Sequence, residues 1–295
     1  MRTTYQHRDA IVSTEWLAGR LYDSELRVFE CTSYLDYLPE GHDAPYRVVS
    51  GRADYDQGHI AGAGFLDIQG ELSDSTSPSH LRFTMLPPDT LAEVLGRRGI
   101  GDRSRVVLYA CDRHMWATRV WWMLRSIGFD AAAVLDGGWE KWVREGRPTS
   151  TDEPVFAPAT LTSCPRPGLF IAKKTVAAAI GDPDICLINA LGTDLHQGEN
   201  PRYGRRGRIP GSVNVTSSSL VDPDTNTFVS VDEAASTFQK VGADPSRRTV
   251  VYCGGGIAST LVAFLLHQLG YEDISVYDAS MSEWARDESL PIEID

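Results

Sequence analysis

No CxxC pair and no cysteine–histidine pair at zinc-ligand spacing occurs in the 295 residues. The five cysteines, Cys31, Cys111, Cys164, Cys186 and Cys253, are odd in number and widely scattered, so neither a structural metal nor a disulfide framework is expected. No run approaches about eighteen uninterrupted apolar residues, and the opening stretch, MRTTYQHRDAIVSTEW, lacks the apolar centre of an export signal. The expectation is a soluble, cytoplasmic chain with no membrane partner. Positive charge is also short: 28 Lys and Arg face 40 Asp and Glu, a net charge of -12. Phosphate backbones are normally met by a basic footprint, so nucleic acid is not an expected partner, and an anionic substrate has to be drawn in by local charge.

What is present is a chain long and apolar enough, at 42% apolar residues, for two domains with a core each. The chain repeats itself. VVLYACDRHMWATRVWWMLRSIGFDAAAVLDGGWEKW (106–142) aligns with VVYCGGGIASTLVAFLLHQLGYEDISVYDASMSEW (250–284). Tyr109 matches Tyr252, Gly128 matches Gly270 and Trp142 matches Trp284, with one residue fewer between the first two anchors of the second copy. Upstream, GHIAGAGFLDI (58–68) pairs with GRIPGSVNV (207–215). Whole domains are duplicated, which a repeat of this length signals. Between them Pro148, Pro154, Pro158, Pro165 and Pro167 sit among small and polar residues and read as a linker, giving domains at 1–150 and 166–295. Within each copy the β-rich runs RVVLY, AAVLD, TVVYC and ISVYD alternate with helical stretches at 117–127 and 258–269, the pattern of an α/β fold with a parallel sheet. Leu261, Phe264, Leu265 and Leu269 form a helical stripe expected to face the sheet. Trp121, Trp122, Trp139, Trp142 and Trp284 read as packing residues, not as a ligand cage.

One loop carries chemistry. The strand Thr249 to Tyr252 ends at Cys253, three glycines follow, Gly254, Gly255 and Gly256, and Ile257, Ala258, Ser259 and Thr260 open a helix. Glycines let successive amides turn to a common centre, and the helix start adds the positive end of its dipole. That cradle favours a thiolate, the reactive form of cysteine, and also a persulfide. Cys31 and Cys186 read as small buried hydrophobes. Phosphates bind such cradles too, but cysteine phosphatases need an arginine six residues after the cysteine to clamp phosphate, and Ser259 stands there.

These motifs resemble the rhodanese superfamily, specifically its two-domain thiosulfate and 3-mercaptopyruvate sulfurtransferases. The resemblance rests on GHIAGA, RIPGSVNV, RVWWMLRSIG, VLDGGWEKW and the CGGGIAS loop, and spans both halves. It implies two tandem α/β domains, each a parallel sheet flanked by helices, with the first catalytically silent and the site at their interface. It further implies that Cys253 takes a sulfane sulfur from a small anionic donor, holds it as a persulfide, and passes it to a thiol, cyanide or protein acceptor, with no metal or organic cofactor. The residues expected to bind substrate are Gly254 to Gly256, Ile257, Ala258 and Ser259. In the first copy Ala110 replaces the cysteine, and Cys111, one residue later, is either a packed or surface thiol or a second reactive group.

The departures concern the donor. The family's Asp-Ala-Arg segment reads Asn189-Ala190-Leu191 here, and its second substrate arginine falls at Leu195 or His196. Arg206 and Arg208, in the run Arg205, Arg206, Gly207, Arg208, are the candidate replacement cations, unless the run is a solvated loop. Gly255 stands where mercaptopyruvate-type loops carry a hydroxyl. Asp67 and His80 match residues that complete the family's proton relay, with Leu81 to Thr84 an apparent insertion after them. His59 reads as a structural residue of its turn. Beside the enzyme stands a second possibility, a non-catalytic rhodanese-like binding or redox-sensing protein that has given up donor turnover.

Overall fold

A computed structural model describes residues 4–295. Two five-stranded sheets, every pairing parallel, form its frame. The first contains β1 (Ile11–Val12), β2 (Leu26–Glu30), β3 (Ala63–Phe65), β4 (Arg105–Tyr109) and β5 (Ala132–Leu135), ordered β1-β5-β4-β2-β3. The second contains β6 (Phe170–Ile171), β7 (Ile185–Asn189), β8 (Val213–Asn214), β9 (Arg248–Tyr252) and β10 (Ile274–Tyr277), ordered β6-β10-β9-β7-β8. The two orders are the same, strand for strand, so the sequence repeat is a repeat of topology. The central strands β4 and β9 are buried from their second residue on, as expected for strands covered on both faces.

The helices that follow β4 and β9, Met115–Ser126 and Ala258–Gln268, pack against each other across the two halves. Thr118 and Thr260, equivalent positions in the repeat, meet through their hydroxyls at 3.2 Å, marking a pseudo-twofold axis. This contact corrects the single-stripe reading of the second helix. All its residues except Ala258 are buried, and Phe264 turns from its own sheet to meet the Trp121 ring of the other half at 4.8 Å. A helix apolar nearly all round is one with two covered faces, and each large apolar side chain so buried contributes about 2 kcal/mol. Trp142 and Trp284 hold equivalent places: the indole N–H of each donates to a proline carbonyl, Pro148 at 2.9 Å and Pro291 at 2.8 Å. Trp121, Trp122, Trp142 and Trp284 are all buried.

Residues 151–166 form no helix or strand, and they do not swing free. The segment is bonded along the first sheet's side of the molecule: Ala159 N–H donates to the Gly96 carbonyl, and Thr162 N–H to Asp102. A Cβ on Gly128, at φ +91°, would lie 2.6 Å from the Cys164 carbonyl, so glycine lets the chain cross there. No helix among the described residues is long and apolar enough to cross a membrane.

Candidate active site

Cys253 follows β9 and is 2% exposed. Its N–H donates to Ser280 Oγ at 3.0 Å, and that hydroxyl donates to the Tyr277 carbonyl at 2.7 Å. The carbonyls of Cys253 and Gly254 accept from Met281 and Ser282 N–H at 3.1 and 2.8 Å, so the loop rides on the first turn of the Ser280–Trp284 helix. The thiol points to Ser259 Oγ, 3.5 Å away. With the carbonyls so engaged, the N–H groups of Gly254, Gly255, Gly256 and Ile257 have no acceptor among the described residues. Ala258 and Ser259 add the open amides of a helix's first turn. Free amides beside a sulfur atom stabilise negative charge on it and on whatever leaves it.

Each glycine of the loop sits where a side chain would meet a close neighbour. A Cβ on Gly254 would fall 1.9 Å from the Tyr203 hydroxyl, one on Gly255 2.6 Å from the Tyr46 hydroxyl, and one on Gly256, at φ +74°, 2.4 Å from the Asp278 carbonyl. Tyr46 belongs to the first half and Tyr203 to the second, so the site lies between them. Beneath it Arg119, fully buried, reaches over from the first half. It donates to the Gly256 carbonyl (3.0 Å) and the Phe83 carbonyl (2.5 Å), pairs with Asp278 (2.7 Å), and lies over the Phe170 ring. The other Asp278 oxygen accepts from Met85 N–H at 3.0 Å. A cleft of about 640 Å³ between the two halves is lined by residues including Tyr37, Arg202, Arg205 and Arg286.

The equivalent loop of the first half differs at each of these points. Ala110 takes the place of Cys253, and its carbonyl accepts from Trp139 N–H. The amides that follow are occupied: Cys111 N–H by Thr32 Oγ1 (2.9 Å), Asp112 N–H by Glu140 (2.7 Å), and Arg113 N–H by the Cys111 carbonyl (2.6 Å). Burial first, then the Glu30 charge, pushes the Cys111 thiol well up, so it stays protonated. Glu30 is itself buried and its carboxyl is raised by that burial.

A model of the rhodanese-like domain matches residues 13–145 and 184–287. The chain belongs to the rhodanese family. It is 32% identical to the 3-mercaptopyruvate sulfurtransferase of Homo sapiens over 93% of this chain and 91% of that one. It is 30% identical to the thiosulfate sulfurtransferase of Gallus gallus, over 93% of each chain. Its fold is similar to that of SseA from Escherichia coli, a 3-mercaptopyruvate sulfotransferase of rhodanese fold, with a TM-score of 0.77, 27% identity, and coverage of 91% of this chain and 97% of that one. These relatives support sulfur transfer in general, and with it a sulfur donor and a sulfur acceptor as partners.

Within this rhodanese-like frame the loop residues Cys253 to Ser259 lie around one thiol, and the remaining expected site residues do not join them. Arg206 donates to the carbonyls of Gly198 and Glu199, and Arg208 is tied to Glu293, Asp295 and the His196 carbonyl. Arg206 braces its own loop and Arg208 the last residues of the chain, and neither guanidinium bonds to the Cys253 loop. Asp67 accepts from Gly70 N–H at 2.7 Å, closing its own turn. His80 faces Arg286, Glu283 and Asp43; burial and Arg286 hold its imidazole below the ordinary range. No hydrogen bond connects Asp67 with His80 among the described residues, so the relay is not assembled. His59 is structural, as read: it is fully buried, stacks on Tyr55 at 3.9 Å, and hydrogen-bonds the carbonyls of Tyr55 and Asp152.

Four residues at the site escaped the sequence reading: Tyr46, Tyr203, Arg82 and Arg119. Arg82 lies in the Leu81–Thr84 stretch; its carbonyl approaches Gly255, its charge acts on the Tyr46 hydroxyl, and its Nε is buried without a partner. The insertion was a visible signal for it. Tyr46, in a hairpin of the first half, carried none.

Proposed function

We propose that this chain is a sulfurtransferase in which Cys253 takes a sulfane sulfur from a small anionic donor of thiosulfate or 3-mercaptopyruvate type, carries it as a persulfide, and delivers it to a thiophilic acceptor. Domain 166–295 carries the nucleophile, and domain 1–150 closes the site without reacting. The single observation that carries this reading is the set of unclaimed amides from Gly254 to Ile257 around the only cysteine that directly follows a central strand. The thiolate attacks the donor's outer sulfur, the bond from that sulfur to the rest of the donor breaks, and the leaving fragment takes the electron pair. Persulfide negative charge then falls in the same cradle that held the thiolate.

Arg82 is placed to hold the donor's anionic end. Arg119 is nearer but is spent on the Gly256 and Phe83 carbonyls and Asp278, whereas Arg82, whose carbonyl approaches Gly255, has a buried Nε without a partner and makes no hydrogen bond or ion pair among the described residues. Intact-mass measurement after incubation with sulfane donors tests the core of this reading. The wild type gains one sulfur and Cys253→Ser gains none; a wild type left unmodified by every donor sinks it.

A further inference from the structure

The relay expected from Asp67 and His80 is not assembled, yet a donor whose leaving atom is carbon must be given a proton. The candidates are the hydroxyls that reach the Cys253 loop. Ser259 Oγ accepts from the thiol and is fully buried under it. Tyr46 comes from the opposite domain, at the start of the strand Tyr46–Ser50, which pairs antiparallel with Ser33–Tyr37. Its ring is 2% exposed and set between the rings of Tyr37 (6.1 Å, edge-on) and Phe83 (6.4 Å), so its hydroxyl is fixed.

That hydroxyl lies 2.6 Å from where a Cβ on Gly255 would be, and within the electrostatic reach of Cys253 and Arg82. Only a residue with no side chain at 255 admits it. The missing side chain and the inserted hydroxyl are thus one feature: space left open on the loop is filled by an O–H group from across the interface. Burial, with the Cys253 charge next, pushes the phenol above its ordinary range. It therefore keeps its proton at neutral pH and offers it as a donor.

We propose that Tyr46 is the proton donor of this site, protonating a carbon leaving group as its carbon–sulfur bond breaks. The inference rests on the sulfurtransferase reading above. With an α-keto thiol such as 3-mercaptopyruvate, the Cys253 thiolate forms the new sulfur–sulfur bond. The carbon–sulfur bond breaks, and its electron pair goes to an enolate carbon that takes the Tyr46 proton; water then returns a proton to the phenolate. No oxidant or reductant is involved. With thiosulfate the leaving group is sulfite, which departs as an anion and needs no proton.

The test is single-turnover persulfide formation on the full chain, followed by intact mass, with 3-mercaptopyruvate and thiosulfate as the two probes. Tyr46→Phe slows loading from 3-mercaptopyruvate by roughly 100-fold or more, the usual contribution of a positioned acid. Loading from thiosulfate changes less than about threefold. Removing the phenol oxygen also clears the position in front of Gly255, so Tyr46→Phe/Gly255→Ser, which puts a hydroxyl back from the loop side, recovers at least about tenfold of the lost rate. Equal loss with both donors makes Tyr46 a packing residue, and no loss with either denies it a role; each overturns the inference. A wild type that loads from thiosulfate alone also overturns it while leaving the sulfurtransferase reading intact, whereas a wild type that loads from neither overturns that reading itself.

Discussion

The two strand-to-helix loops of this molecule, 110–115 and 253–258, are the same piece of architecture put to different ends. Each is entered from a central strand, and in each an aspartate at the end of the neighbouring strand accepts an amide from the opposite domain: Asp278 from Met85, Asp136 from Phe228. Even the strained backbone is shared, with Phe83 at φ 62° and its counterpart Asn226 at φ 56°. What differs is where the loop amides point. In the first loop they are consumed by Thr32, Glu140 and the loop's own carbonyl; in the second they stay open around a thiol. The lesson is that what sets the proposed nucleophile apart from the first loop is that its neighbours' hydrogen bonds are left unmade.

The comparison can be broken first at the buried cation. Arg119 serves the second loop, while its counterpart in the repeat, Leu261, faces the cleft beside the first. Arg119→Met strands Asp278 and two buried carbonyls, so urea unfolding should show a loss of about 3–5 kcal/mol, against less than about 1.5 kcal/mol for Leu261→Met. Similar losses would mean that the live loop is not held by its guanidinium.

Next comes pH. His114, fully buried in the first interface and bonded to the Asn226 carbonyl, is lowered by burial to about 4. Its folded form refuses a proton that the unfolded chain accepts at about 6.5, so stability present above that pH is lost as pH falls towards 4, by roughly 3 kcal/mol. Asp136, raised by burial to about 6, acts in the opposite direction, stabilising below about 4 and losing that contribution as pH rises through 6. His114→Gln should therefore flatten the acid limb of a plot of urea midpoint against pH. An unchanged slope would remove His114 from the account. The smallest effect belongs to Cys111→Ser: sulfur loading should stay at the wild-type level, and a measurable drop would give the first loop a share in the chemistry.

Much of this was legible in the sequence because it is written locally. Apolar runs of strand length, glycines after Cys253 and the offset repeat each report a backbone requirement within a few residues, and the two sheets and the cradle follow. The helix Ala258–Gln268 was half legible: its stripe showed that it packs, but not that a second helix covers its other face. What the sequence hid was contact at long separation. Arg206 and Arg208 were near the right turn in the chain, yet the Gly198 and Glu199 carbonyls take up the first and Glu293 and Asp295 the second. Tyr46 stands 209 positions before Gly255, whose gap it fills, and no periodicity encodes that.

The central claim, one live loop opposed to one closed one, is tested most directly by locating the sulfur. The protein is loaded with a sulfane donor, the persulfide is trapped by alkylation, and the digest is read by mass spectrometry for the peptides holding Cys111 and Cys253. The account predicts added sulfur on the Cys253 peptide alone; sulfur on Cys111, or on both, would contradict it.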